Sequence, residues 1–101
     1  MMHVLQPSEN YTDHDSAIAA LFEQKSLDAL RYLIDHGREL EFSYAGENYF
    51  ISRSNAQKYV SLWGNGTQQS FDSVPTLIDN ATLQQTPFRT AWMLVVLQYL
   101  F

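Results

Sequence analysis

The stretch over residues 39–53 constrains the fold most, because apolar and polar residues alternate along it on both sides of an Ala-Gly pair. Alternation of this kind is typical of a β-hairpin with one buried face. If the Ala-Gly pair is a two-residue loop, Leu40 lies opposite Ile51 and Phe42 lies opposite Tyr49. A shift of one residue would destroy this apolar face. The sequence therefore predicts the register of the hairpin as well as its existence.

Two further strands are predicted after the hairpin. Residues 58–63 alternate again after a loop over residues 54–57, and residues 67–71 predict a short strand at the sheet edge. The predicted register between the second and third strands pairs Arg53 with Lys58, Ile51 with Val60, and Tyr49 with Leu62. This register extends the apolar face onto a third strand.

Two helices are predicted before the hairpin. They are indicated by two apolar stripes at helical spacing: Ile18, Leu21 and Phe22, then Leu27, Leu30, Leu33 and Ile34. At about 100° per residue the stripes are rotated by more than a quarter turn, so one straight helix cannot bury both. We therefore predict a break near Lys25, with Ser26 capping the second helix and Gly37 ending it. The first helix has three candidate N-caps, which are Asp13, Asp15 and Ser16.

Two short helices are predicted in the C-terminal part of the chain. Asp72 is the predicted N-cap of the first, which has Pro75 in its first turn and ends near Asn80. Thr86 as a cap and Pro87 at the first helical position open the second.

The run from Met93 to Phe101 has one polar residue, Gln98, and is too apolar for one face of a helix to bury. We predict that the last helix ends near Leu94 and that the chain continues extended. The extended tail either adds to an edge of the same sheet or crosses to a second copy of the chain. We favour the second arrangement, because a dimer would bury the tail together with aromatic residues of the sheet.

Length and composition fit one domain. A chain of 101 residues that is 46% hydrophobic and has no cysteine can bury a single core without a disulfide. We predict an N-terminal arm over residues 1–12 and one α+β domain over residues 13–101. The domain is predicted to contain an antiparallel meander of three or four strands, with helices packed mainly on one face.

Charge and the start of the chain narrow the function. The net charge is −5 and no cluster of Lys and Arg offsets it, which argues against nucleic-acid and anionic-membrane partners. The first residues lack the basic and apolar regions of a signal peptide, and the last helix is too short to cross a bilayer. We therefore expect a cytoplasmic protein without a membrane partner.

No pattern in the sequence predicts catalysis, a cofactor or a metal ion. Asp13, His14 and Asp15 come nearest to a metal motif, but helix capping explains both aspartates and no second histidine follows at helical spacing. The sequence has no catalytic triad spacing, nucleophile elbow or glycine-rich oxyanion loop. His36 is predicted to be structural, because it suits the negative end of a helix.

Aromatic residues on the second face of the sheet are the main candidates for function. Phe50, Tyr59 and Trp63 are predicted to lie opposite the apolar face, among polar neighbours. Either another segment of the chain covers them, or they form a protein interface, where Tyr, Trp and Phe are favoured. Together with Tyr99 and Phe101 of the tail, they are the predicted interaction residues.

Three features of residues 39–92 occur together. They are a Phe-x-Tyr-x-Gly-x-x-Tyr hairpin at residues 42–49, a Phe-Asp-Ser helix cap at residues 71–73, and a following helix that bears Trp92. This combination resembles small uncharacterised proteins of low-GC Gram-positive bacteria and their phages. The resemblance implies a small accessory or mobile-element protein, and it carries over no catalytic residue.

The sequence favours a non-enzymatic protein-interaction or accessory module that forms a homodimer, binds another protein, or does both. Two alternatives from other classes stay open. One is a single-stranded nucleic-acid binder that uses the aromatic sheet face, and the other is a protein with a small-ligand pocket.

Overall fold

The computed structural model describes residues 13–54 and 58–101. The predicted arm over residues 1–12 and residues 55–57 of the predicted loop lie outside the described part. The helices are α1 (His14–Gln24), α2 (Leu27–Asp35), α3 (Val74–Asn80) and α4 (Phe88–Trp92). The strands are β1 (Leu40–Tyr44), β2 (Glu47–Ser54), β3 (Tyr59–Gly64), β4 (Thr67–Phe71), β5 (Thr82–Leu83), β6 (Thr86–Pro87) and β7 (Val96–Leu100).

A five-stranded antiparallel sheet forms the centre of the fold, with the strand order β4-β3-β2-β1-β7. Its first four strands in sequence are the predicted meander, and β7 adds beside β1. The predicted α+β class with an antiparallel sheet is confirmed, whereas the predicted number of three or four strands is wrong. Strands β5 and β6 form a separate two-stranded hairpin.

The hairpin has the predicted register, but the register of the next strand pair was predicted wrongly. The hairpin pairs Leu40 with Ile51 and Phe42 with Tyr49. Between β2 and β3, Ile51 pairs with Leu62 rather than with Val60. The turn closes later than predicted, because the Lys58 N–H donates to the Ser54 carbonyl over 2.7 Å and Lys58 is left-handed, with a φ of 60°. A displacement of two residues keeps every side chain on its predicted face.

The predicted break between the first two helices is confirmed at Lys25, whose backbone is left-handed with a φ of 52°. The Ser26 hydroxyl caps α2 by accepting the N–H of Ala29 over 3.1 Å. Asp13, one of the three candidates, caps α1 by accepting a backbone N–H over 2.8 Å. Gly37 follows the end of α2 with a φ of 89°, as predicted.

The second apolar stripe faces the core as predicted, but the first is wrong at one position. Leu30 and Leu33 are fully buried, whereas Phe22 is 42% exposed. Ala17 shares the buried side of α1 with Leu21 instead. The reason is that α1 packs on α2 and buries a narrower stripe than a helix lying on the sheet would.

The C-terminal helices begin one residue or more later than predicted. Ser73, and not Asp72, caps α3 by accepting the N–H of Thr76 over 3.2 Å, from an extended backbone with a φ of −154°. Thr86 and Pro87 do not open a helix, because they pair with β5 as strand β6. Helix α4 therefore starts without a side-chain cap.

The C-terminal tail pairs with β1 of its own chain, so the arrangement favoured from sequence, in which the tail crosses to a second copy, is wrong. Two residues tie down the start of the tail. The indole N–H of Trp92 donates to the Lys25 carbonyl over 2.8 Å. In return, Lys25 Nζ donates to the carbonyls of Met93, over 3.2 Å, and Val95. These bonds direct the chain from α4 to the edge of the sheet.

The hydrophobic core lies between the helices and one face of the sheet, here called the inner face. The largest fully buried side chains come from both layers and include Leu40, Phe42, Ile51, Leu62, Leu30, Leu33, Leu77, Phe88 and Trp92. The ring of Trp92 meets that of Phe42 edge-on at 6.1 Å and stacks on Phe88 at 5.4 Å. The opposite side of the sheet is called the outer face.

Candidate functional site

The outer face carries the predicted interaction residues. Alternation along the paired strands assigns its members: Glu41, Ser43, Asn48, Phe50, Ser52, Ser54, Tyr59, Ser61, Trp63, Gln68, Ser70, Val96, Tyr99 and the hydrogen-bonded pair Glu39 and Phe101, which lie directly before β1 and directly after β7. Glu39 and Glu41 are the charged side chains among these residues. The face therefore combines five aromatic residues, a type favoured at protein interfaces, with small polar side chains and two carboxylates.

Four of the five predicted residues are neighbours on this face. Trp63 is the register partner of Phe50. The ring of Phe101 lies 6.0 Å from the ring of Phe50 and 6.3 Å from that of Tyr99, measured between centroids. These distances are within the contact range of aromatic pairs. Tyr59 lies apart from this group, four residues or roughly 13 Å along β3 from Trp63.

A bulge in β7 places the tail aromatics on the outer face. Leu97 and Tyr99 pair with neighbouring residues of β1, which leaves Gln98 as an extra residue between them. Because of the extra residue, Leu97 packs on the core while Tyr99 faces outward. The bulge also adds Val96 to the outer face, which the sequence reasoning missed. The three-residue spacing of the two inward leucines in β7 is the sequence signal for it.

Polar side chains at the β4 side of the outer face bond to one another. The hydroxyl oxygens of Ser61 and Ser70 are 2.9 Å apart, and the Gln68 amide donates to Ser70 Oγ over 3.1 Å. Polar groups that already have partners cost less to remove from water than unpaired ones. A second surface can therefore cover this region without leaving these groups unpaired.

The described part of the chain leaves the outer face open to solvent. Trp63 is 44% exposed, Tyr99 is 61% exposed and Phe101 is 57% exposed. By contrast, Phe42 on the inner face is fully buried. The interpretation that another segment covers the outer aromatics finds no support within residues 13–54 and 58–101.

Among the described residues, few positive charges lie near the aromatic group. Arg38 Nε donates to the Phe101 carbonyl over 2.7 Å. Arg53 lies on the inner face, where its Nη1 is 3.4 Å from a carboxylate oxygen of Asp35. Lys58 is exposed before the start of β3, at the corner occupied by Tyr59. A strand of bases stacked on the tail aromatics would meet the negative charges of Glu39 and Glu41, the direct partners of Phe101 and Tyr99.

The structure brings two scattered histidines together without forming a metal site. The rings of His14 and His36 are 5.5 Å apart, and Tyr32 stacks on His36 at 4.0 Å. His36 Nδ1 donates to the Tyr32 carbonyl over 2.7 Å, at the end of α2. Within residues 13–54 and 58–101, no group of three or more metal-binding side chains is placed to hold an ion.

Comparison of the chain with protein-family models, with curated proteins and with solved structures found no match. The resemblance to small Gram-positive and phage proteins therefore stays a prediction. Among the described helices, none combines the length and apolar character needed to cross a bilayer.

Proposed function

We propose that this protein is a non-enzymatic protein-interaction module that associates with itself by stacking the outer faces of two sheets. The observation that carries the proposal is the position of the exposed apolar side chains. Among the described residues, eight large hydrophobic side chains are exposed, and five of them lie on the outer face: Tyr59, Trp63, Val96, Tyr99 and Phe101. A concentration of this kind is typical of a surface that binds another protein.

The size of the outer face suits a stacked dimer better than pairing at a strand edge. With strands about 4.8 Å apart and a rise of about 3.3 Å per residue, the face measures roughly 24 Å by 17 Å, or about 400 Å² in projection. Protruding side chains make the accessible area larger than the projection. Two stacked faces approach the total of about 1,200 Å² at which stable specific interfaces begin. Two paired edge strands would bury less.

The charge distribution favours the same surface. Two chains that each carry a net charge of −5 repel one another, so contact costs least where charge is sparse. The outer face satisfies this condition except at Glu39 and Glu41, which lie beside each other at the β1 side of the face. Burying these carboxylates costs free energy, and we therefore expect an association of moderate strength.

Sedimentation equilibrium from micromolar to millimolar concentration tests the proposal. The Trp63→Ala variant should weaken association by about 2 kcal/mol or more, because a central aromatic residue anchors an interface. Phe22→Ala is a matched control, since Phe22 is 42% exposed and Trp63 is 44% exposed, but Phe22 lies on α1. The control should leave the dissociation constant unchanged. A monomer at every concentration, or equal effects of the two variants, contradicts the proposal.

A further inference from the structure

A cleft of about 200 Å³ lies on the inner side of the sheet, between β4 and the hairpin of β5 and β6. Residues that line it include Tyr49, Asn65, Thr67, Gln69, Gln84 and Gln85. None of these side chains carries a charge. The volume is below the roughly 300 Å³ at which pockets for drug-sized ligands begin, so the cleft suits a small molecule.

Hydrogen bonds of the protein itself hold the two walls of the cleft in place. The side-chain amide of Gln69 donates to the Thr82 carbonyl over 2.8 Å and accepts the Thr82 N–H over 3.0 Å. This pair of hydrogen bonds links β5 to β4 in the way that the backbone of a neighbouring strand would. Gln84 Nε2 donates to the Tyr44 carbonyl over 3.0 Å and fixes the other end of the hairpin. The shape of the cleft is therefore fixed by hydrogen bonds within the protein.

The Tyr49 hydroxyl is buried at this cleft without a partner. Tyr49 is 3% exposed, and among the described residues nothing accepts from or donates to its hydroxyl. Its ring lies so close to Gly64 that a Cβ at Gly64 would come within 2.4 Å of the ring carbon Cδ1. Because Gly64 pairs with Tyr49 on one side and with Thr67 on the other, the ring crosses β3 toward the cleft. An unpaired buried hydroxyl costs folding free energy, which a ligand can recover.

We infer that the cleft binds a small uncharged ligand with several hydroxyl groups, of the size of a monosaccharide, and that the Tyr49 hydroxyl is its buried polar contact. The amides of Asn65 and Gln85 and the hydroxyl of Thr67 each donate and accept hydrogen bonds, as the hydroxyls of such a ligand require. Gln84 and Gln85 form the rim of the cleft from a turn with left-handed φ values of 51° and 72°. Gln84 is held by its bond to Tyr44, and the ligand reaches Tyr49 as the exposed side chain of Gln85 moves aside.

The cleft is independent of the proposed self-association. Thr67 and Gln69 alternate with Gln68 along β4, so the cleft residues of this strand lie on the inner side while Gln68 lies on the outer face. Loss of one activity therefore does not remove the other.

NMR titration of the ¹⁵N-labelled full chain with D-glucose, D-galactose and N-acetyl-D-glucosamine tests the inference. At least one sugar should cause saturable shifts of the side-chain amide signals of Asn65, Gln84 and Gln85. Tyr49→Phe should raise the dissociation constant about tenfold, the effect of losing one hydrogen bond to a buried group. D-glucuronate should bind more weakly than the neutral sugars, because the cleft offers no cation. Gln68→Ala, on the outer face, should leave the affinity unchanged.

The stability of the free variant supplies a second measurement. Tyr49→Phe removes a hydroxyl without a partner, so the melting temperature of the sugar-free protein should stay the same or rise. A fall in melting temperature would show that the hydroxyl is bonded within the fold, and it would overturn the inference. Absence of saturable shifts with all three neutral sugars, or equal affinities of the parent protein and Tyr49→Phe, would overturn it as well.

Discussion

The two faces of the central sheet differ in burial although adjacent residues build them. Phe42 on the inner face is fully buried and meets Trp92, whereas Trp63 on the outer face is 44% exposed. Both are large aromatic residues in central strands, so hydrophobic character does not decide which of them is buried. The deciding factor is the parity of the position, because the described helices cover one side of the sheet. Within residues 13–54 and 58–101 the outer-face aromatics are left without such cover, and we expect them to contribute less to folding than the aromatics of the inner face.

The largest expected effect separates the two faces directly. Phe42→Ala should lower the free energy of unfolding by about 3–5 kcal/mol, because it leaves a cavity in a closely packed core. Phe50→Ala removes the same side chain from the outer face of the neighbouring strand and should cost about 1 kcal/mol or less. Urea denaturation at a concentration where the protein is monomeric measures both. Similar losses would show that the outer face is part of the core.

A smaller effect is expected from changes in α2, the helix that helps to cover the inner face. Leu30→Ala should cost about 2–5 kcal/mol, since Leu30 is fully buried on α2. Ser26→Ala, in the same segment, should cost about 1 kcal/mol through loss of the helix cap. Thermal unfolding of the two variants measures the difference. Equal and negligible losses would mean that α2 is not docked on the sheet.

The smallest expected effect concerns Glu41, one of the two carboxylates on the outer face. Glu41→Gln should strengthen self-association by about 1 kcal/mol, because a stacked dimer buries this carboxylate. Glu47→Gln changes the net charge equally but lies at the start of β2, outside the outer face. Sedimentation equilibrium compares the two. If both variants shift the dissociation constant alike, general repulsion rather than burial at the outer face sets the affinity.

Sequence patterns over a few residues predicted the features that depend on interactions between residues close together in the chain. Alternation fixed the hairpin register, and two rotated apolar stripes located the helix break at Lys25. The same reasoning failed where distant parts of the chain decide. Phe22 is exposed because α1 packs on α2. The tail pairs with β1 because, among the described residues, no other strand occupies the edge of β1 that faces away from β2.

The candidate sites were predictable to different degrees. The positions of the outer-face aromatics follow from alternation along the strands. The error in the β2–β3 register does not change them, because a shift of two residues leaves each side chain on the same face. The bulge at Gln98 breaks alternation, so it hid the membership of Val96. The cleft was not predictable, because its hairpin turns at Gln84 and Gln85 with positive φ but without the Gly or Asn that signals such a turn.

Quenching of tryptophan fluorescence by acrylamide, followed against protein concentration, tests the stacked outer face most directly. The chain has two tryptophans, of which Trp63 is 44% exposed and Trp92 is 2% exposed. Trp63 should be quenched in dilute solution and become shielded as the mass from sedimentation rises to that of a dimer, while Trp92 stays shielded throughout. A Trp63 that is quenched equally at all concentrations, whether the protein is monomeric or dimeric, would contradict the account.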